Sequence, residues 1–280
     1  MIQSLLNKTI RPLQGTGIGN NRPVRFLYGL FQRIMADQVI WVNGYKLTGM
    51  GQIKFLRWEP YTTELMKRFV KSGMTAVDVG ANIGYYTLLL SMLVGLGGTV
   101  FAVEPGRKAR RILMHNWNIN KVFCCNTNIS GAAASSEDGT TDLYVGDNMM
   151  GSSSLYNQWN EQKPVRCVTQ KLDSIVGGNP VDFVKIDTEG AEIEVLGGMT
   201  KILKSRPTMI IEFSPRCLIT ARHNPSDLLS LLWAYDYRLW AISEKGKRLW
   251  YINPSYNLGM WDGNTATVNI LCRRANAQSQ

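Results

Sequence analysis

The chain of 280 residues is 45% hydrophobic and carries 31 Lys and Arg against 21 Asp and Glu, a net charge of +10. That apolar fraction supports a sizeable buried core, and no apolar run reaches the roughly 18 to 20 residues that a membrane span needs. Two histidines rule out a histidine-rich metal centre and weigh against a Ser–His–Asp triad, while five cysteines without C-x-x-C spacing indicate neither a disulfide framework nor a zinc knuckle.

The opening "MIQSLLNKTIRPLQGTG" lacks the apolar core and small-residue cleavage site of a signal peptide, so the sequence reads as cytoplasmic. Residues 1–75 hold eleven Lys or Arg against Asp37, Glu59 and Glu64, which places about +8 of the charge there. An anionic partner fits this arm: nucleic acid, a charged glycan, or an acidic lipid surface that would seat the protein peripherally on a membrane. A solubilising surface fits it equally. Residues 1–24, polar and rich in Gly, Asn and Pro, read as a flexible segment. "VRFLYGLFQRIM" follows with Phe26, Leu27, Leu30, Phe31 and Ile34 at helical spacing, and "QVIWVNGYKLTG" reads as a hairpin turning on Asn43-Gly44. Residues 25–58 thus form a helix and β-hairpin extension.

From Glu59 onward helix and strand alternate. The spacing predicts an amphipathic helix in "YTTELMKRFVKSG" stopped by Gly73, a strand in "TAVDVG", a helix in "NIGYYTLLLSMLV", a strand in "GTVFAVEP" and a helix in "RKARRILMHNWNIN". A β-rich insert, "NISGAAASSEDGTTDLYVGDNMMGSSSLYNQ", precedes a strand in "VDFVKIDTEG", one helix in "AEIEVLGGMTKIL" and a strand in "PTMIIEFSP". Single helices between strands predict βαβ units in one α/β, mostly parallel sheet flanked by helices. "YRLWAISEKGKRLWYI" and "TATVNILCRR" are expected to add antiparallel C-terminal strands.

Ligands of such sheets bind beyond the carboxyl ends of the strands, where Asp78, Glu104, Asp187 and Glu212 all fall. A dinucleotide loop needs G-x-G-x-x-G, but Gly80-Ala81-Asn82-Ile83-Gly84 puts Asn82 where the middle glycine would admit a pyrophosphate, and there is no phosphate-cradling G-x-x-x-x-G-K-[ST]. Asp78 would repel phosphate and welcome a cation. Glu104 is placed to accept hydrogen bonds from two ribose hydroxyls. A ligand with a ribose, a positive charge and no phosphate is S-adenosylmethionine.

"DVGANIGYYTLLLS", "GTVFAVEP", "HNWNINKV", "VDFVKIDTEGAEIEVLGGM" and "PTMIIEFSP", in that order, resemble the FkbM family of S-adenosylmethionine-dependent methyltransferases over about residues 40 to 272, including "GSSSL" at Gly151 to Leu155. The resemblance implies a class I methyltransferase (Rossmann-like) domain over 59–272, a tail at 273–280, S-adenosylhomocysteine as product, and transfer to an oxygen, often of a sugar or polyketide. It matches Asp78, Gly80, Asn82 and Gly84 to the family's cofactor loop, Glu104 to its ribose-binding acid, Glu59 to the acid before its first helix, and Asp187 with Glu189-Gly190 to its D-x-E-G.

An alcohol stays protonated at neutral pH, so a base should take its proton as the new bond forms. Asp187 is the first choice. Lys185, two residues away on the strand, points to the same face and would lower the acceptor pKa, with Glu212 completing the cluster. Lys185 acting only to neutralise buried acids is the plainer alternative. Mg²⁺ held by Asp187, Glu189 and Glu212 is a further, less favoured one. Glu192 and Glu194 read as acids favouring a helix N-terminus. The C-terminal aromatics, Trp233, Trp240, Trp250, Tyr251, Tyr256 and Trp261, read as core, with stacking on a sugar or base as the alternative. The leading function is O-methylation of a glycan, lipid-linked saccharide or other natural product. The alternatives are an RNA ribose 2′-O- or cap methyltransferase and a non-catalytic S-adenosylmethionine-binding protein.

Overall fold

A computed structural model describes residues 39–49, 58–121, 126–145, 153–158, 163–254 and 267–274. The segment 1–24, the expected helix at 24–35, Gly151-Ser152, Cys124, Cys125, Tyr256 and Trp261 lie outside the described residues. The chain divides between Trp58 and Glu59 into two units. In the first, strands β1 (Ile40–Val42) and β2 (Tyr45–Leu47) pair antiparallel. Asn43 and Gly44 join them with φ of 49° and 91°, the pair of positive angles that a type I′ turn demands.

The second unit runs α1 (Pro60–Phe69), β3 (Thr75–Val79), α2 (Tyr85–Val94), β4 (Thr99–Val103), α3 (Arg107–Asn120) and β5 (Asn126–Ser130). Then come β6 (Ala133–Ala134), β7 (Gly139–Val145), β8 (Lys163–Gln170), α4 (Leu172–Val176), β9 (Phe183–Ile186), α5 (Glu192–Gly197), α6 (Thr200–Ser205) and β10 (Thr208–Phe213). The chain continues through α7 (Pro215–Thr220), α8 (Pro225–Ala234), β11 (Tyr237–Ser243), β12 (Arg248–Ile252) and β13 (Val268–Arg274). The main sheet has the order β12-β11-β13-β10-β9-β3-β4-β5. From β10 to β5 the neighbours pair parallel, and β13 runs antiparallel to both β10 and β11. This is the expected mostly parallel, helix-flanked sheet with antiparallel strands added from the C-terminus.

Side chains alternate across each strand, and the register sorts them. Val77, Val79, Phe101, Val103, Val184, Ile186, Met209, Ile211, Phe213, Ile270 and Cys272 share one apolar core. The opposite face carries Asp78 beside Lys185, Lys185 beside Ile210, and Glu212 beside Asn269. A parallel sheet covered on both faces normally reads as continuous apolar strands. Here Asp78, Lys185, Glu212 and Asn269 interrupt that pattern on one face, among apolar neighbours such as Ala102 and Ile210.

Three expectations change in detail. The first helix ends at Phe69, not at Gly73: Val70 is already extended (φ −85°, ψ 129°), and Gly73 (φ 84°) serves the turn into β3. The single helix expected over "AEIEVLGGMTKIL" is two, α5 and α6, parted at Gly198, where an added Cβ would lie 1.9 Å from the Ser135 carbonyl oxygen. The strand from the insert needs that space. In the C-terminal strands Trp250 and Tyr251 are exposed, 58% and 53%, and are not core. The expected β-rich insert divides: its start, Asn128–Ser130, is the end of β5, a parallel edge strand of the main sheet, and the rest joins β8, which follows it, in a second sheet with β8 between parallel β6 and antiparallel β7.

Candidate active site

The chain winds outward from β3 to β4 and β5, then returns to place β9 and β10 on the other side of β3. The crevice beyond β3 and β9 is therefore the switch point at which such sheets take ligands. Gly80 turns the chain there with φ 82°, and an added Cβ would meet the Asp187 carbonyl oxygen at 1.8 Å. Only glycine lets the two loops approach so closely. Asn82 follows with φ 49°, and Gly84 with φ 96°, its missing Cβ leaving room for Leu113 of α3.

Glu104, buried just past β4, is held by both oxygens. Oε2 accepts the Asn82 N–H and Oε1 the Gly106 N–H, each at 2.7 Å. Burial pushes its carboxyl up to about 7, against the lowering effect of those two N–H groups. Each oxygen keeps a further acceptor direction, so the pair can take two hydroxyl donors. Asn82 Oδ1 is buried and has no partner, an acceptor of the kind that a donor-bearing ligand satisfies. S-adenosylmethionine, with its ribose hydroxyls, fits these residues. Asp78 has another neighbour than the loop alone implied: Thr87 of α2 donates to its Oδ2 at 2.5 Å. Burial raises Asp78 to about 6.

The raised carboxyl of Glu104 has a measurable consequence for the ligand-free protein. Its ordinary value is 4.5 and its folded value about 7, so the folded chain binds this proton more tightly than the unfolded chain. Below 4.5 both states are protonated and nothing is lost; stability then falls as pH rises through 7. Between pH 6 and pH 8 Glu104 should cost about 1 kcal/mol, or roughly 2–4 °C in melting temperature for a domain of this size. Melting curves of the wild type and Glu104→Gln across that range check this, and equal slopes would disprove it.

Across the crevice Lys185 is fully buried, 0% exposed, beneath Asp187, whose side chain is 30% exposed. The Lys185 Nζ donates to the Ile186 carbonyl at 3.1 Å and to Asp187 Oδ2 at 3.5 Å, and sits 5.6 Å from the Tyr86 ring centroid. Burial alone would lower its pKa; Asp187, Glu59, Glu212 and Asp78 together hold it above the ordinary value. Glu59, at φ 41° ahead of α1, accepts the Tyr86 hydroxyl. Its carboxyl is raised by burial, partly offset by Lys185 and Tyr86. Glu59, expected among the cofactor-binding residues, thus stands beside Tyr86 and the lysine at the same crevice.

Asp187, Glu189 and Glu212 present carboxylate oxygens that all lie within 4.8 Å of one another. Burial, then the charge of Asp187, raises Glu189 to about 7 and Glu212 well above the ordinary range. Sequence reasoning missed the residues around them. Glu192 is buried and turns back onto Thr188 and Gly190, beyond the dipole role expected of it. Glu194 accepts the Tyr156 hydroxyl and pairs with His223 Nε2 at 2.6 Å. Gln158 reaches Glu189 from the insert. In the sequence only the family resemblance of "GSSSL", Gly151 to Leu155, points to that segment.

The sequence profile described as "Methyltransferase FkbM domain" matches residues 78–239. A curated relative, the Protein-L-isoaspartate O-methyltransferase of Triticum aestivum, is 32% identical over 88 residues, 31% of this chain and 34% of the relative. Among solved structures, methyltransferase FkbM from Methylobacillus flagellatus KT is 18% identical with a TM-score of 0.44, over 72% of this chain and 44% of that one. A Streptococcus mutans structure described as a methyltransferase in complex with SAH is 10% identical with a TM-score of 0.40, over 76% and 96%. The chain thus spans about a third of the curated relative and under half of the M. flagellatus structure.

Proposed function

The chain belongs to the FkbM methyltransferase family, and from that premise we propose that it moves the methyl group of S-adenosylmethionine to a hydroxyl oxygen of a glycan, lipid-linked saccharide or other natural product. One observation carries this reading: a ribose-type acceptor, Glu104, and a lysine-paired carboxylate, Asp187, stand at the carboxyl ends of strands in the same sheet, on either side of its switch point.

When bound, the sulfonium supplies a methyl group that needs no further activation. Glu104 and the Asn82–Gly84 turn hold the ribose end. Gly80 keeps the loop tight against Asp187 so that donor and acceptor share one crevice. Alignment of the acceptor oxygen at about 3 Å behind the methyl carbon supplies most of the acceleration. Asp187 takes the hydroxyl proton, a contribution of about 10² to 10⁴-fold. Lys185, fixed beneath it, limits the charge that accumulates, and Glu212 closes the cluster from β10. The fully buried Lys185 ammonium beneath a partly exposed Asp187 speaks against a non-catalytic binder, since a buried charge is costly to desolvate.

A second reading is favoured by the convergence of Asp187, Glu189 and Glu212 oxygens, a spacing at which a hard divalent cation such as Mg²⁺ can take all three. Incubating the protein and labelled S-adenosylmethionine with separate glycan, lipid and RNA fractions tests both readings. Label is expected in the glycan or lipid fraction and should survive a chelator. Labelled RNA would replace the acceptor class, and loss of transfer with EDTA, restored by Mg²⁺, would install the metal. No labelled fraction, together with no calorimetric binding of the donor, would leave a protein without this activity. The basic arm invoked for RNA or membrane contact lies within residues 1–75, of which 1–38 and 50–57 are outside the described residues.

A further inference from the structure

Asp187 and Glu189 are like charges two residues apart, and the turn carrying them is not relaxed. Glu189 has φ 53° and Gly190 φ 103°. A non-glycine residue holds a left-handed conformation only when its surroundings over-determine it. The same turn also brings a Glu189 carboxylate oxygen within 4.8 Å of those of Asp187 and Glu212, a crowding of acids that needs support from outside the turn.

Two brackets give that support. From α5, the buried Glu192 spends one oxygen on the turn: Oε1 accepts the Thr188 N–H at 3.1 Å, the Thr188 hydroxyl at 3.0 Å and the Gly190 N–H at 3.2 Å. From the insert, the Glu189 carbonyl accepts the Ser154 hydroxyl at 2.7 Å and Gln158 Nε2 at 2.9 Å. The same Gln158 nitrogen donates to the Cys217 carbonyl at 3.1 Å, which ties the turn to α7. Ser154 is itself fixed to β7, exchanging both backbone hydrogen bonds with Tyr144. The fit is close, since a Cβ on Gly190 would lie 2.7 Å from both Gln158 Nε2 and the Cys217 oxygen.

We propose that Gln158 and Glu192 are positioning residues, which clamp the Asp187–Gly190 turn from two sides and so keep the Glu189 carboxylate beside Asp187 and Glu212 at the acceptor end of the crevice. The inference rests on the methyltransferase reading above. It assigns the insert a task in the reaction: its return segment, Ser154 to Gln158, forms part of the frame of the catalytic turn. The two clamps need different chemistry. Gln158 must donate, so Gln158→Glu keeps its shape and loses its function, turning an acceptor toward two carbonyls. Glu192 must accept, so Glu192→Gln retains an oxygen for the three donors, whereas Glu192→Ala does not.

The test compares single-turnover methyl transfer, acceptor KM and calorimetric donor affinity for the wild type, Gln158→Glu, Glu192→Gln and Glu192→Ala. A displacement of the turn by about 1 Å should lower kcat roughly 10- to 100-fold in Gln158→Glu and Glu192→Ala. Donor affinity should stay within about threefold, because Glu104 and Asn82 belong to other loops, and Glu192→Gln should turn over like the wild type. A crystal structure of Gln158→Glu should show Glu189 released to negative φ. Wild-type turnover in Gln158→Glu, or equal loss in Glu192→Gln and Glu192→Ala, overturns the clamp while leaving the methyltransferase reading intact. A wild type that transfers no methyl to any acceptor fraction overturns both.

Discussion

Asp187→Asn is expected to lower methyl transfer by about 10² to 10⁴-fold, the range spanned by a positioned general base, while donor affinity is retained. The substitution conserves shape and leaves an oxygen for Lys185, so the 3.5 Å contact survives in neutral form. What disappears is the proton acceptor. The cofactor loop should not respond, because its contact with this residue is through backbone: Gly80 packs on the Asp187 carbonyl, and the Asp187 N–H donates to the Val79 carbonyl at 2.9 Å. Rapid-quench measurement of label transfer, alongside calorimetry of donor binding, separates the two effects. Glu189→Gln is the informative companion, because Glu189 lies in the same cluster with its carboxyl raised to about 7. Turnover unchanged in Asp187→Asn but lost in Glu189→Gln would move the role of base two residues along the same turn. Loss of donor binding in Asp187→Asn would show that the residue belongs to the cofactor side instead.

Gly80→Ala should be among the most damaging methyl additions at the described glycines. The added Cβ would stand 1.8 Å from the Asp187 oxygen and 2.8 Å from its carbonyl carbon, and both are backbone atoms that no side-chain rotation relieves. The alternatives are to part β3 from β9 at the switch point or to abandon φ 82°; either dismantles the donor loop. Gly73→Ala isolates the steric term. Gly73 has nearly the same φ, 84°, but nothing within 4 Å of an added Cβ, so it should cost only the left-handed penalty of about 1–2 kcal/mol. Gly80→Ala should lose several kcal/mol and all measurable donor binding. Denaturant unfolding of the two variants side by side checks this, and equal losses would mean that the close approach of the two loops is not rigid.

Much of this was legible in the chain itself. The helix over "RKARRILMHNWNIN" has the boundaries that its pattern predicts, Arg107 to Asn120. The acids Asp78, Glu104, Asp187 and Glu212 fall at strand ends, because apolar runs bounded by glycine and followed by helical periodicity locate those ends well. Asn82 in place of a glycine and Glu104 after the second strand sufficed to suggest the donor. Lys185 and Asp187, two apart on a strand, had to share a face. Local pattern settles such matters because each depends on residues near one another in sequence.

Other features depend on partners far along the chain, and no local pattern encodes them. The break between α5 and α6 follows from the Ser135 carbonyl pressing on Gly198, a contact across more than sixty residues. Glu59 joins Tyr86 and the lysine only because α1 and α2 lie over the same face of the sheet. Glu192 looked like an ordinary acid at a helix start until the turn before it curled onto its carboxylate. Gln158 was invisible as a site residue, since its partners Glu189 and Cys217 lie 31 and 59 positions away. The sequence by itself determined the sheet, the polar face and the acids at its rim, through periodicities of two and 3.6 residues. Tertiary structure alone decided which of those acids meet, how burial raises the carboxyl groups of Asp78, Glu104 and Glu212, and which distant donors hold the turn together.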